Sequence, residues 1–357
     1  MTESPTDEVL YEDRNLHIGH RYIKQGNTLL PCPSSVHPLS LEDEQELIHV
    51  LDKQMGRLVI EWDASWVTKS GVGVRSAEAE AMRLVSKNTE VPVPEVLFTD
   101  FSADEAKVET ETEESSKPNF HAPKGLIAMT IIPGTPLQKK WDSLDDEAKE
   151  SICLQLWDLI SKIRNIARPQ ELEGPYQCAA DGSPSHDPML EDLQSPVRPL
   201  TSDLDLRARI YERYLRCGGS RYKNQLLDML PRSERSVFTH ADIAPRNVMV
   251  DEQNMVTGIL DWESAGWYPD YWEYAQIMRP AFWGDWSVWM EKTAPQRVRR
   301  QEGLSGRIKK EIKTKTYNSE DSLVVTHPTT NSPACGLSTA ERTGSPIFHT
   351  LWSYVSD

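Results

Sequence analysis

The chain has 357 residues, 38% of them apolar, and a formal net charge of −16. This length fits two domains, or one two-lobed domain with tails. The acidity argues against sequence-independent nucleic-acid binding, because phosphate repels such a surface; its first reading is solubility. Five cysteines, none in a C-x-x-C pair, argue against a disulfide framework or a zinc site and make a reducing compartment the expectation. No apolar run reaches the roughly 18 residues of a membrane span. Met1 to Arg14 is polar and acidic, without the basic and apolar regions of a signal peptide, so the expected location is cytoplasmic.

In chain order, residues 1–40 are polar, with Pro31, Pro33 and Pro38 late in the stretch, and read as a loose arm. Leu41, Leu47, Ile48 and Leu51 fall near one helical face and predict a helix from Leu41 to Met55. Arg57 to Trp62 and Trp66 to Lys69 read as short strands, the second ended by Gly71 and Gly73. Ser76 to Lys87 reads as a helix, with Ser76 as its expected cap and Val91-Pro-Val-Pro94 as its stop. A strand from Glu95 to Thr99 precedes an acidic loop over 100–124, expected to be mobile. Gly125 to Ile132 is an apolar run of strand length, closed by Pro133-Gly134.

Leu144 to Ala167 predicts a long amphipathic helix, with Ile152, Leu156, Leu159, Ile160 and Ile163 at helical spacing. A Pro-, Gly- and Ser-rich loop over 168–203 follows, then helical segments from Asp205 to Leu215 and from Tyr222 to Leu230. The tryptophans concentrated between Trp262 and Trp289 mark a core region. Residues 295–357 turn basic and then Ser/Thr/Pro-rich, and read as mostly disordered. The order divides the chain into an arm (1–40), a strand-rich N-terminal part (41–132), a helical part (133–294) and the tail.

The chemistry concentrates between Val237 and Glu263. There His240, Asp242 and Asn247 form H-x-D-x-x-x-x-N. Val248-Met-Val250, a turn from Asp251 to Asn254, and a second apolar run ending at Asp261 predict a hairpin. Such a hairpin brings Asn247 and Asp261 to one end. Mg²⁺ takes oxygen ligands, usually one or two carboxylates with phosphates and water. Asp261 offers a carboxylate and Asn247 an amide oxygen. Asp242, just upstream, can take a proton from a hydroxyl or orient it. Phosphoryl transfer needs such positioning and charge neutralisation more than covalent chemistry.

Phe238-Thr-His-Ala-Asp-Ile-Ala-Pro-Arg-Asn-Val248 and Gly258-Ile-Leu-Asp-Trp-Glu-Ser-Ala-Gly-Trp-Tyr-Pro-Asp-Tyr-Trp-Glu-Tyr274 resemble the catalytic core of the phosphotransferase enzyme family, which includes aminoglycoside phosphotransferases and choline kinases. The resemblance is closest to fungal members, runs from about Gly56 to Trp289 and is most specific in its second half. It implies an α+β, bilobal protein-kinase-like fold with a small strand-rich N-lobe and a larger helical C-lobe. It further implies an ATP- and Mg²⁺-dependent phosphotransferase acting on a hydroxyl of a small-molecule substrate.

By this resemblance Lys69 grips phosphates, and Glu80, with Glu78 as the fallback, holds Lys69. Met129, Thr130 and Ile132 line the adenine site, Asn247 and Asp261 hold Mg²⁺, and Asp242 is the catalytic base or orienting group. His240 braces the loop, and Glu273 does the same through backbone bonds. The chain also departs from the family. Ala241 stands where glycine is usual, Gly56 is the only glycine between Asn27 and Lys69, and helices that usually follow the core are replaced by the basic tail. A truncated or mis-spliced end is the expectation for that tail. The alternative reading is a kinase-fold nucleotide-binding or scaffold protein with little turnover.

Overall fold

A computed structural model describes residues 9–10, 12–32, 41–42, 44–54, 56–101, 125–220, 222–279 and 284–295. The acidic loop from 102 and the tail from 296 lie outside the described residues.

The N-terminal part is one antiparallel sheet with a helix against it. Its strands are β1 (Val9–Leu10), β2 (Arg21–Gln25), β3 (Thr28–Pro31), β4 (Gln45–Gln54), β5 (Arg57–Trp62) and β6 (Trp66–Gly71). Helix α1 (Ser76–Asn88) follows, then β7 (Val96–Asp100) and β8 (Gly125–Thr130). The order across the sheet is β1-β3-β2-β4-β5-β6-β8-β7. Two sequence expectations are corrected here. The polar arm contributes paired strands, because Leu16, Tyr22 and Leu29 are buried in a small core with Ile48, Val50, Leu58 and Ile60. The helix expected from Leu41 to Met55 is instead the long strand β4. β-branched Ile48 and Val50 pack on a sheet face, and pairing with both β2 and β5 overrides the helical spacing.

Helix α1 starts one residue after Arg75, which caps it through backbone conformation alone. Ser76, the expected cap, instead donates its hydroxyl to Asp181 at 2.8 Å. The helix buries Ala79, Ala81, Met82 and Val85 in the main core and ends where Thr89 bonds back to Val85.

The C-terminal part continues with β9 (Thr135–Pro136), α2 (Asp146–Arg164), β10 (Cys178–Ala179), α3 (Asp203–Arg216), α4 (Leu226–Met229), β11 (Ser236–Thr239), β12 (Val248–Val250), β13 (Val256–Ile259), β14 (Gly266–Pro269), α5 (Trp272–Ile277) and α6 (Trp286–Thr293). The chain is thus α+β, strand-rich first and helical second, as expected. Asp145 caps α2 by accepting from the Ala148 amide, with Asp146 and Glu147 in the positive first turn. The expected helix over Tyr222 to Leu230 shrinks to the single turn of α4. Trp262, Trp267, Trp272, Trp286 and Trp289 are all buried, as the clustering predicted. No helix among the described residues is long and apolar enough to cross a membrane.

Strands β12 and β13 form the predicted hairpin, pairing Val248 with Ile259 and Met249 with Gly258. Asp251 closes its turn, accepting from the amides of Gln253 and Met255. Gly258 leaves room for Ile132: a Cβ there would sit 2.5 Å from the Ile132 side chain and force it to shift. That close approach seats the chain leaving β8 on the hairpin. Two further backbone bonds fix the hairpin, Leu260 to Asn247 (2.8 Å) and Ile259 to Pro92 (3.0 Å), the latter reaching the loop between α1 and β7.

Candidate active site

Strand β6 delivers Lys69 to the centre of the site. Its buried ammonium lies 2.8 Å from Glu78 Oε1, 2.7 Å from Asp261 Oδ1 and 3.3 Å from Glu263 Oε2. Burial alone would push this ammonium down; Glu78, Asp261 and Glu263 together outweigh burial and hold it above the ordinary lysine range. Glu78, on the first turn of α1, is itself pushed up to about 7 by burial, with Lys69 pulling the other way. Glu80 does not reach the lysine. It is half-exposed on the outer side of α1 and pairs with Arg83 at 2.6 Å. The expected pairing with Glu80 is therefore corrected to Glu78: two residues along a helix is a rotation of about 200°, so only one of the two can face the sheet.

His240, Asp242 and Asn247 come together on the loop after β11. His240 is fully buried and has both ring nitrogens engaged. Nδ1 accepts from the Asp242 amide at 3.2 Å, which leaves Nε2 to donate to the Leu260 carbonyl at 3.0 Å. Burial holds its pKa below the ordinary value, so the neutral ring ties the loop to the residue preceding Asp261. His240 is a positioning residue by this geometry.

Glu273, on α5, accepts from the amides of His240 (2.7 Å) and Ala241 (3.2 Å). Burial pushes its carboxyl up to about 7, against the pull of those two amides. Ala241 sits at φ +65°, a conformation that glycine takes freely and alanine does not.

The Asn247 amide nitrogen donates to both the backbone oxygen and Oδ2 of Asp242, each at 2.9 Å. Arg246 also pairs with Asp242 Oδ2. The Asn247 carbonyl Oδ1 and Asp242 Oδ1 are then the atoms available to other chemistry.

Asp261 is left-handed at φ 64°, ψ 67°. Burial raises its carboxyl, but Lys69, with smaller help from His240 and Arg57, outweighs burial and holds it below the ordinary range. Glu263 accepts from Arg57 as well as from Lys69. Among the described residues no cluster of three or more His, Cys, Asp or Glu forms a metal cage. Asp261 and Asn247 offer a carboxylate and an amide oxygen from the same, open end of the hairpin.

Met129 and Thr130 end β8, and Ile132 follows it. Met129 is buried opposite Val67. Thr130 exchanges two 2.9 Å bonds with the backbone of Glu95, and Ile132 rests on Gly258. A separate cavity of about 100 Å³ is lined by Gln177, Ser183, Arg198 and Arg209 among others; Lys69, Asp242, Asn247 and Asp261 do not line it. Sequence reasoning did not single out Arg57, and no local signal could have: its place depends on the β5–β6 register. The partnership of Arg246 with Asp242 likewise depends on the bend of the loop, since the two do not share a helix.

The model of the phosphotransferase enzyme family matches residues 73–307, and the chain belongs to that family. The match begins after Lys69, so the role of the lysine rests on its geometry. Solved structures similar to the chain include aminoglycoside phosphotransferase APH(4)-Ia in a ternary complex with AMP-PNP and hygromycin B. That structure is 16% identical over 72% of this chain and 79% of that one, at a TM-score of 0.43. The GDP complex of aminoglycoside 2'-phosphotransferase-IIIa is also 16% identical, over 71% and 80%, at 0.43. At this level of overlap the likeness carries no argument of its own. No curated protein matches the chain.

Proposed function

We propose that the chain is an ATP- and Mg²⁺-dependent kinase that phosphorylates a hydroxyl of a small molecule. The observation that carries this reading is the ion-paired Lys69, bridging Glu78 and Asp261, with Asp242 and Asn247 fastened to the Asp261 hairpin by the Leu260–Asn247 backbone bond. Lys69 would direct its ammonium to the triphosphate, with Glu78 fixing its reach. Backbone groups around Thr130 to Ile132, with Met129 behind them, would take the adenine. Asp261 and the Asn247 Oδ1 would hold Mg²⁺, which when bound neutralises charge on the phosphates.

Asp242, held at Oδ2 by Asn247 and Arg246, would use Oδ1 to accept the proton of the acceptor hydroxyl. The acceptor oxygen bonds to the γ-phosphorus, the bond to the β–γ bridging oxygen breaks, and ADP leaves with that electron pair.

The test is a metabolite screen read by ATP consumption, with Asp242→Asn beside the unmutated chain. Turnover is expected to fall by about 10²- to 10⁴-fold while ATP affinity stays nearly unchanged. Near-normal kcat in the variant counts decisively against the assignment. ATP binding with no turnover of any acceptor would favour the binding-protein alternative.

A further inference from the structure

The turn between β4 and β5 is tight, with Gln54 paired to Arg57 across it. It is also tied down: the Gly56 carbonyl accepts from the Val72 amide at 2.8 Å. Gly71 lies so close beneath that a Cβ there would sit 1.8 Å from the Gly56 oxygen. Its Gly56 end is thereby anchored to the end of β6.

A charged side chain, Arg57, follows directly on this turn. In the β5–β6 ladder Val59 pairs with Lys69 and Arg57 with Gly71. Directly opposed residues of an antiparallel pair share a face, and so do residues two apart on one strand. Arg57 and Lys69 therefore project from the same face, and Gly71, opposite Arg57, has no side chain to compete for the space. Both cations converge on one atom, Oε2 of Glu263, two residues beyond Asp261.

We propose that Arg57 is a polyphosphate-binding residue, exchanging Glu263 for oxygens of the nucleotide triphosphate. This rests on the kinase reading above and adds to it a second cation that grips the nucleotide. Arginine suits the role, since its guanidinium donates bidentately to phosphate as readily as to carboxylate. Glu263 then acts as a placeholder that keeps the guanidinium in the cleft.

The experiment is calorimetric titration of the full chain with Mg·ATP and with adenosine, for the unmutated protein, Arg57→Ala and Arg57→Lys. Mg·ATP affinity is expected to fall about tenfold or more in the alanine variant and less in the lysine variant, with adenosine affinity within about twofold. Equal losses for both ligands, or no loss for either, overturn the proposal and leave the kinase reading standing. If the unmutated chain shows no preference for Mg·ATP over adenosine, the kinase reading fails and takes this one with it.

A double-mutant cycle in chelator adds a readout that a purely structural role would not move. Glu263→Gln is expected to tighten ATP binding by releasing Arg57, and the gain should vanish in the Arg57→Ala background. A gain of the same size in both backgrounds means that Glu263 merely repels phosphate, and overturns the exchange.

Discussion

The two sides of the site are built from opposite materials. The sheet side supplies cations, Lys69 and Arg57, long side chains on regular strands whose positions are set by ladder register. The hairpin side supplies carboxylates and an amide, short side chains on a backbone bent into the left-handed region at Ala241 and Asp261. That bent backbone is braced from behind by Glu273 and His240. Reach is adjustable on the first side and fixed on the second. Reacting groups should therefore sit on the fixed side and gripping groups on the adjustable side, since chemistry tolerates less misplacement than electrostatic attraction does.

The largest effect on that division is expected at Asp261. Asp261→Ala should abolish the Mg²⁺ dependence of ATP affinity, whereas Asn247→Ala should only reduce it, since water can partly replace a neutral amide oxygen. Paired ATP titrations, with Mg²⁺ and with chelator, decide the matter. A persistent Mg²⁺ effect in the Asp261 variant would transfer the ligand role to Glu263.

On the sheet side, Glu78→Gln should weaken Mg·ATP binding about tenfold by loosening Lys69, while Glu80→Gln stays within about twofold. The reverse ranking in the same titration would undo the corrected pairing.

Smaller is a pH effect on stability. Glu78 and Glu273 hold their protons up to about 7 in the fold, against an ordinary value of 4.5. Between those values the folded chain binds more protons than the unfolded one, so stability should decline as pH rises through the window and level off above it. Thermal midpoints at about pH 5 and about pH 7.5 should differ in that sense, and Glu273→Gln should shrink the difference. An unchanged slope in the variant would show that Glu273 does not titrate there.

The smallest effect is a gain. Ala241→Gly relieves a left-handed alanine and should stabilise the chain by up to about 1 kcal/mol in urea unfolding. A loss would mean that the Ala241 methyl packs better than its backbone suffers.

The same division decides what could be read from the sequence. Asp242, Asn247 and Asp261 lie within twenty residues, and a short hairpin brings them together, so local pattern was enough. Glu273 is close by on α5, but its bracing role, like that of Lys69, came from the family resemblance. Lys69 needed the family resemblance, because one strand lysine looks like another. The choice between Glu78 and Glu80 turned on where α1 begins to face the sheet, a matter of packing rather than spacing. Arg57 depends on which residue of β5 lies across from Gly71. The strands before Leu41, and β4 itself, escape a reading of local pattern because their few apolar residues become a core only when β2, β3, β4 and β5 meet.

The bond from the Ile259 amide to the Pro92 carbonyl joins main chain to main chain, so short of proline at 259 a side-chain replacement leaves both of its partners in place. It pins the two halves of the molecule at the base of the hairpin, while Lys69 and Asp261 touch through side chains alone. The Ile259–Pro92 bond is held by backbone on both sides, whereas the Lys69–Asp261 contact can part by side-chain rotation alone. The Ile259 amide is then a fixed reference: its hydrogen-exchange protection should be the same in the nucleotide-free and the nucleotide-bound chain.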